Sequence, residues 1–308
     1  MRKIIGIGET ILDIIFKGNR PAYAFPGGSV FNTMITLGRV GVSGCFISEA
    51  GRDRIGETVL SFMRENHLTT DYMDLPGDGK TPLSLAFLDE HNDAHYVFYT
   101  DYPADRLNVA WPRIDEDDVL IFGSYYSVNP VLRNKIVEIL EYARDRKAII
   151  YYDPNFRKAH AHEAMRIMPS VIENLEFADI VRGSKEDFEN LYHLSDSRLI
   201  YKDKIGFYCS NFIYTAGPEE VQVFTPHSRS CFPVAPVTTV STVGAGDSFN
   251  AGILFGLLRY GITRDMLPGL SGGDWEKIIR IGLDFSAEVC QVYENYLPVS
   301  AAERYKQI

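Results

Sequence analysis

The stretch with the clearest chemical potential is residues 241–252, STVGAGDSFNAG, which an apolar segment at residues 253–258 follows. Gly244, Ala245 and Gly246 are small enough to let the backbone turn sharply into a helix. The first amides of a helix have no partner within it, and together with the helix dipole they attract anions such as phosphate. We therefore expect an anion site at these small residues.

Asp247 follows directly, inside the first turn of the predicted helix. A loop that only bound phosphate would not place a carboxylate there, because the two negative charges repel each other. The residue suits a base that accepts the proton of a hydroxyl group during phosphoryl transfer, a reaction that depends more on positioning than on a strong base. Taken alone, a structural carboxylate at a helix start explains this segment equally well.

A second polar constellation lies near the N-terminus, where residues 26–32, PGGSVFN, lead into a predicted helix. Gly28 allows the backbone to approach a small ligand, and the Asn32 amide can both donate and accept hydrogen bonds, as a polyhydroxylated ligand requires. Asp13, further upstream, could accept two hydroxyl protons. Taken alone, this segment is explained more simply as a turn and a helix start.

The elements that must position these residues alternate along the chain. Short apolar runs predict buried strands, and segments with apolar residues at helical spacing predict the helices between them. The strands are predicted at residues 3–8, 119–123, 148–153, 178–181 and 212–215, and the helices at residues 55–66, 130–146, 184–192 and 274–295. This alternation predicts an α/β fold with a doubly wound, mostly parallel sheet. No linker interrupts residues 1–308, so we expect a single domain.

Two regions depart from this alternation. Residues 84–99 indicate a hairpin with a polar turn at residues 89–94, and residues 9–25 are strand-like. Antiparallel pieces inserted into an α/β chain often form a lid or a subunit contact. We therefore predict a β-lid built from segments near residues 9–26 and 82–102.

The composition excludes several classes of protein. The 308 residues carry a formal net charge of −10 and are 45% hydrophobic, which is typical of a globular chain. An acidic chain attracts neither nucleic acid nor an anionic membrane, and no apolar run approaches the roughly 18 residues of a membrane span. The four cysteines show no paired spacing, so we expect reduced thiols and a cytoplasmic location.

Together these segments resemble the ribokinase-like (PfkB) family of carbohydrate kinases, nearest its fructokinase-like branch, over almost the whole chain. The resemblance rests on residues 8–13 (GETILD), 26–32, 51–56 (GRDRIG), 153–157 (DPNFR) and 241–252. By this resemblance, the hairpin belongs to the family's β-lid, and a homodimer that forms through the lid is expected.

The resemblance implies an ATP-dependent kinase that transfers the γ-phosphoryl group of ATP to a primary hydroxyl of a small sugar, with fructose as the first expectation. Asp247 would be the catalytic base, and Gly244, Ala245 and Gly246 would form the anion hole. ATP and the sugar are then the expected small-molecule partners, and Mg²⁺ the expected ion.

The same resemblance implies that Asp13, Gly28 and Asn32 hold the sugar and that Arg157 lies near the substrate or the phosphate. It does not name the sugar. A kinase for 2-keto-3-deoxygluconate, for another sugar or for a nucleoside therefore stays open.

Nucleotide contacts are expected from another set of residues. Ser184 and Asp187 align with the family's Asn-x-x-Glu, which orders magnesium-bound water near the phosphates, and Ala287 and Asn295 are candidates for the adenine. No residue is assigned as a direct metal ligand. Ser241 stands where the family usually has Asp, so dependence on a monovalent cation stays open.

A function from another class is a catalytically weak sugar-binding protein on the kinase fold, which the changes at Ser241 and Ser184 motivate. A dinucleotide site at Gly6 and Gly8 is disfavoured because the third glycine of that motif is absent. The chain has no P-loop motif.

Overall fold

The computed structural model describes residues 2–88, 94–103 and 105–306. Its strands are β1 Ile4–Ile7, β2 Ile11–Lys17, β3 Arg20–Gly27, β4 Gly44–Glu49, β5 Met73–Asp74, β6 Lys80–Leu88, β7 Ala94–Asp101, β8 Val119–Gly123, β9 Ile149–Asp153, β10 Ile180–Ser184, β11 Asn211–Thr215, β12 Glu220–Phe224 and β13 Arg229–Pro233. Every predicted strand is present, because each is an apolar run that packing covers on both faces.

The helices include the four predicted at residues 55–66, 130–146, 184–192 and 274–295, with shifted ends, and others that the sequence did not predict. They are α1 Ser29–Arg39, α2 Arg54–Glu65, α3 Arg133–Asp145, α4 Ala164–Phe177, α5 Lys185–Tyr192, α6 Ser197–Ile200, α7 Ala245–Arg259, α8 Gly272–Cys290 and α9 Val299–Lys306. No described helix is both long and apolar enough to cross a membrane.

The chain divides into two compact units, each built from separate stretches. Unit 1 comprises Met1–Arg2, Arg113–Pro236 and Ile253–Ile281, and unit 2 comprises Lys3–Pro112, Val237–Gly252 and Gly282–Ile308. The expectation of one domain over the whole chain stays a prediction.

Unit 1 contains a sheet in which β8, β9, β10 and β11 run parallel and β12 and β13 extend it antiparallel. All residues of β8, β9 and β11 are buried. Helix α3 packs through Ile136, Ile139, Leu140 and Ala143, which recur at helical spacing on one face. This is the mostly parallel, helix-covered α/β arrangement that the sequence predicts.

Unit 2 contains parallel strands β1, β4 and β5 and a separate four-stranded sheet in the order β3-β2-β6-β7. We call this four-stranded sheet the lid sheet. Strand β2 pairs in parallel with β6 and antiparallel with β3, and β6 pairs antiparallel with β7. The predicted strands of the lid are thus present, whereas most of the predicted polar turn, residues 89–93, lies outside the described residues.

Two predicted helix ends are wrong, one of them because tertiary contacts hold the chain outside the helix. The helix predicted over residues 274–295 ends at Cys290, and residues 291–297 form a loop that tertiary contacts hold. Among these contacts, Arg39 Nη1 donates to the Leu297 carbonyl oxygen at 2.8 Å and to Glu294 Oε2 at 2.7 Å. Helix α1 begins at Ser29 and not at residue 33, so Asn32 lies inside the helix.

Candidate active site

Asp247 lies in the first turn of α7, with its side chain 5% exposed. Its two carboxylate oxygens accept hydrogen bonds from two residues of α1. Ser29 Oγ donates to Oδ1 at 3.0 Å, and Asn32 Nδ2 donates to Oδ2 at 2.8 Å. Each carboxylate oxygen has a second lone pair, so the group can still accept a proton from a substrate. The two predicted constellations therefore meet at this carboxylate.

The start of α7 is held against α1 by further hydrogen bonds. Thr33 Oγ1 donates to the Asp247 carbonyl oxygen at 2.9 Å, and the hydroxyls of Thr36 and Ser248 lie 3.5 Å apart. These four residues are buried. The backbone of Asp247 is thus fixed as firmly as its side chain, which suits a group that must meet a substrate in one geometry.

The glycines before α1 leave space that no other residue would leave. Gly28 adopts a φ of 125°, which favours glycine, and a Cβ there would overlap the carbonyl oxygen of Glu9. A Cβ on Gly27 would overlap Asp13 Oδ2. Gly27 therefore lets the backbone lie against the Asp13 carboxylate, and Gly28 lets it lie against the carbonyl group of Glu9.

Asp13 faces the interior from β2 of the lid sheet and is 4% exposed. Across the parallel pairing of β2 with β6, its register partner is Ser84. Asn295, from the loop after α8, donates its Nδ2 to Asp13 Oδ2 at 2.9 Å. Three segments that are distant in sequence thus converge on one predicted sugar-binding carboxylate.

Three buried polar atoms around these carboxylates have no hydrogen-bond partner among the described residues. They are Asn32 Oδ1, Asn295 Oδ1 and Ser84 Oγ. An unsatisfied buried polar group costs about 1–3 kcal/mol, so such atoms need an explanation. The hydroxyl groups of a small polyol would satisfy them.

The predicted anion loop has a geometry that depends on Gly244. Its φ is 79°, and a Cβ there would overlap the carbonyl oxygen of Asn295. The Ala245 amide donates to the Thr242 carbonyl oxygen at 3.2 Å, and the Ser248 amide donates to the Gly244 carbonyl oxygen at 2.9 Å. The next amides of the first turn, after Ala245, lie at the N-terminus of α7, where anions bind.

Ser241 is completely buried in this loop, and its Oγ accepts from the Val243 amide at 3.2 Å. The hydroxyl therefore stabilises the turn before α7. This local role is one that a smaller, neutral side chain can fill in place of the family's usual carboxylate.

Ser184 and Asp187, predicted near the nucleotide, form the N-terminal cap of α5 in unit 1. Ser184 Oγ accepts from the Asp187 amide at 3.2 Å, and Asp187 Oδ2 accepts from the Ser184 amide at 2.6 Å. Asp187 Oδ1 accepts from the Phe156 amide at 2.7 Å. Burial is the main reason that the pKa of Asp187 is raised, and the charge of Asp153 adds to it. The nucleotide role of this pair stays a prediction.

The segment that carries Arg157 is anchored within the same unit. Asp153 Oδ1 accepts from the Asn155 amide at 3.1 Å, and Asp153 Oδ2 accepts from Arg182 Nη1 at 3.0 Å. Asn155 has a φ of 39°, which is uncommon for a residue with a side chain. Arg157 itself is half-buried at the start of a short helix, Lys158–Glu163.

The described residues contain no group of three or more His, Cys, Asp or Glu side chains that could hold a metal ion. Magnesium commonly keeps several waters and binds through nucleotide phosphates, so a kinase needs no protein cage for it. The carboxylate of Asp187, engaged by Ser184 and Phe156, fits a contact through water better than direct coordination.

The structure thus joins Asn32 to Asp247 and Asn295 to Asp13, and it adds Ser29 and Ser84, two neighbours that the sequence did not indicate. Ser29 was missed because a serine beside glycines reads as part of a turn. Ser84 could have been found, since β6 alternates between faces and Ser84 falls on the face that holds buried residues. Asn295 was predicted near adenine, which stays a prediction, and its side chain contacts Asp13.

Residues 1–302 match the protein family described as pfkB family carbohydrate kinase. Among curated relatives, a fructokinase of Rhizobium leguminosarum bv. trifolii is 28% identical over 265 residues, which is 82% of this chain and 79% of the relative. A probable chloroplastic fructokinase-6 of Arabidopsis thaliana is 25% identical over 268 residues, which is 82% of this chain and 69% of the relative.

Solved structures show the same fold. The fructokinase of Vibrio cholerae O395 with fructose, ADP and calcium ion bound superposes with a TM-score of 0.86 at 18% identity, and the match covers 99% of both chains. The aminoimidazole riboside kinase of Salmonella enterica superposes with a TM-score of 0.78 at 19% identity, over 99% of both chains. This chain is a member of the pfkB family of carbohydrate kinases.

Proposed function

We propose that this protein is an ATP-dependent kinase that transfers the γ-phosphoryl group of ATP to a primary hydroxyl of a small sugar, with fructose as the first substrate to test. One observation carries the proposal. The buried carboxylate of Asp247, held by Ser29 and Asn32, stands at a helix start, in the same unit as the predicted sugar-binding carboxylate of Asp13.

The proposed reaction follows from this arrangement. The sugar hydroxyl oxygen bonds to the γ-phosphorus as the bond between that phosphorus and the β–γ bridging oxygen breaks, and ADP leaves. Asp247 accepts the hydroxyl proton and releases it to solvent. Backbone amides at the start of α7, in the region of Gly244 and Gly246, stabilise the equatorial phosphoryl oxygens. Magnesium supplies charge neutralisation on the nucleotide phosphates.

Fructose is favoured because curated relatives at 25–28% identity are fructokinases. The unpartnered acceptors near Asp13 support a ligand with several hydroxyl donors. The likeness to an aminoimidazole riboside kinase is one of fold, and it keeps a nucleoside in the panel of substrates. 2-Keto-3-deoxygluconate belongs in the same panel, since its carboxylate would distinguish a sugar acid from a neutral sugar.

The experiment is ADP release by the purified protein with Mg-ATP and this panel, measured with and without added potassium. Turnover on fructose supports the proposal and names the substrate, and the potassium arm shows whether a monovalent cation is needed. Turnover on another member of the panel, and not on fructose, would support the proposed reaction with that member as the substrate. No turnover on any member, while fructose still binds in calorimetry, would favour the sugar-binding protein that the Ser241 change suggests.

We also propose that two copies associate through the outer face of the lid sheet. Ile14, Leu85 and Val97 stand in register across β2, β6 and β7, with Val97 45% exposed. Phe16 and Phe87 stack with ring centroids 4.7 Å apart on the same face. An apolar sheet face of this kind suits a self-complementary contact between identical chains.

The test is sedimentation velocity of the wild type and of Val97→Lys. A dimer that Val97→Lys converts to a monomer supports the proposal, because the charge would be buried in the interface. Leu199→Lys is the control, since Leu199 is 44% exposed in unit 1 and does not belong to the lid sheet. A monomeric wild type at micromolar concentration would overturn the proposal.

A further inference from the structure

We propose that Asn295 is a specificity-determining residue of the sugar site, which orients Asp13 with its amide nitrogen and accepts a hydroxyl of the sugar with its amide oxygen. This inference rests on the proposed function and deepens it. It replaces the expectation that Asn295 contacts adenine.

The partner of Asn295 determines which way its amide faces. An ionised carboxylate can only accept hydrogen bonds, so the amide nitrogen must be the atom that faces Asp13 Oδ2, at 2.9 Å. The amide oxygen then lies on the other branch of the side chain. Asn295 therefore presents a fixed acceptor, and an exchange of its oxygen and nitrogen would place two acceptors against each other.

That oxygen is the atom that needs a partner. Asn295 is fully buried, and its Oδ1 has no hydrogen-bond partner among the described residues. Asn32 shows the same pattern beside the other carboxylate, because its nitrogen donates to Asp247 and its Oδ1 is likewise buried without a partner. Two fixed acceptors, one beside each carboxylate, match two hydroxyl groups of one ligand.

The loop around Asn295 prevents the side chain from moving to find a partner elsewhere. Tyr296 Oη donates to the Pro26 carbonyl oxygen at 3.3 Å, and the Leu297 amide donates to Thr36 Oγ1 at 3.2 Å. The carbonyl oxygen of Asn295 itself occupies the space where Gly244 lacks a side chain. The residue is therefore held by contacts of the two residues that follow it in the chain and by the packing of its own carbonyl group.

Gly27 makes room for the contact between Asp13 and Asn295. A Cβ on Gly27 would lie 3.6 Å from Asn295 Nδ2 and would overlap Asp13 Oδ2. Any side chain at position 27 would therefore enter the region where Asp13 and Asn295 meet. A glycine there lets the Asp13 carboxylate reach the Asn295 amide.

The first test separates sugar binding from nucleotide binding. For Asn295→Ala we expect the KM for fructose, and the Kd for fructose without ATP, to rise by about 10- to 100-fold, since the substitution removes a partner of Asp13 and an acceptor for the sugar. The KM for ATP should stay within about twofold of wild type. Asn134→Ala, the same change at an exposed residue of α3, is the matched control and should change neither constant.

The second test uses singly deoxygenated fructose analogues. If Asn295 Oδ1 accepts from one hydroxyl, the analogue lacking it should bind the wild type about 10-fold more weakly or worse, and Asn295→Ala should no longer distinguish it from fructose. A structural role would weaken all analogues equally. Asn295→Asp, which keeps the size of the side chain, adds a third readout: two adjacent carboxylates share a proton, so the acid limb of kcat/KM should move to higher pH.

The results that overturn the inference differ from those that overturn the proposed function. An increase in the KM for ATP with an unchanged KM for fructose would return Asn295 to the nucleotide. If the effect of Asn295→Ala on the Kd adds to the effect of every deoxygenation, Asn295 makes no contact with a sugar hydroxyl. A wild type that neither binds nor phosphorylates fructose would instead refute the choice of fructose, and the same tests would be repeated with whichever sugar of the panel binds.

Discussion

The substitution Asp247→Asn tests the centre of the proposed mechanism with little change in shape. The new amide has the size of the carboxylate and can satisfy Ser29 and Asn32. Its oxygen can accept from Asn32 Nδ2, while its nitrogen donates to Ser29 Oγ, because a hydroxyl accepts as readily as it donates. We therefore expect the fold and the sugar site to persist, with only the charge and the proton acceptor lost.

The size of the effect follows from these contacts. Two hydrogen bonds to a charged group become bonds to a neutral one, which costs about 1 kcal/mol each and lowers Tm by only a few degrees in a chain of this length. Loss of a general base costs about 10²- to 10⁴-fold in kcat. The predicted result is a folded protein with a kcat at least about 100-fold lower and a KM for fructose that changes little.

The assay is coupled ADP release at saturating Mg-ATP, beside calorimetry of fructose binding and a thermal melt. Asp145→Asn is the control, since Asp145 is exposed at the end of α3. A kcat within about threefold of wild type, far less than a lost general base should cost, would show that Asp247 is not the base. A large loss of fructose binding would show instead that the carboxylate holds the sugar.

Three further predictions concern the surroundings of the site and the fold. Gly27→Ala should raise the Kd for fructose by about 10-fold or more, because the new Cβ displaces the Asp13 carboxylate and one hydrogen bond to a charged group is lost. Calorimetry measures this Kd, and unchanged binding would contradict the prediction. Burial alone would raise the pKa of Asp53, but hydrogen bonds from backbone amides at the start of α2 and β6 outweigh it, so the pKa is lowered. Asp53→Ala should therefore reduce the free energy of unfolding in urea at pH 7 by about 0.5–2 kcal/mol. This difference should disappear as the pH falls below 3.8, because the carboxylate is then protonated in both states. Burial raises the pKa of Cys209 to about 12, so in the native protein at pH 8 a thiol reagent should modify the exposed Cys231 and not Cys209; labelling of both would contradict the burial.

The sequence predicts these strands well because a buried strand is a continuous run of apolar residues. The strand predicted at residues 119–123 is β8, and the strand predicted at residues 148–153 is β9 with one residue fewer. The predicted end of α8 was wrong because the position of that end does not depend on the local helix preference of the residues. The residues after Cys290 leave the helix to make contacts with Asp13, Arg39 and Thr36, and no periodicity in the sequence reports such contacts.

In the site, too, local motifs indicate single residues but not the contacts between them. Asp247 and Asn32 could each be proposed from their own motif, but the hydrogen bond that joins them links residues 215 positions apart and has no signature in either motif. Asn295 was assigned to adenine because the resemblance places that part of the chain near the nucleotide. Only its contact with Asp13, made from a loop, shows that its neighbour is the lid sheet.

The division of unit 2 into three stretches has a consequence for how the protein is made. A ribosome releases Lys3–Pro112 long before Gly282–Ile308, yet the latter stretch supplies the contacts of Tyr296 with Pro26 and of Leu297 with Thr36. The nascent N-terminal part must therefore wait, incompletely packed, until almost the entire chain has been synthesised. A nonsense codon near the 3′ end of the message would yield a product that has nearly all of the sequence and lacks a finished unit 2.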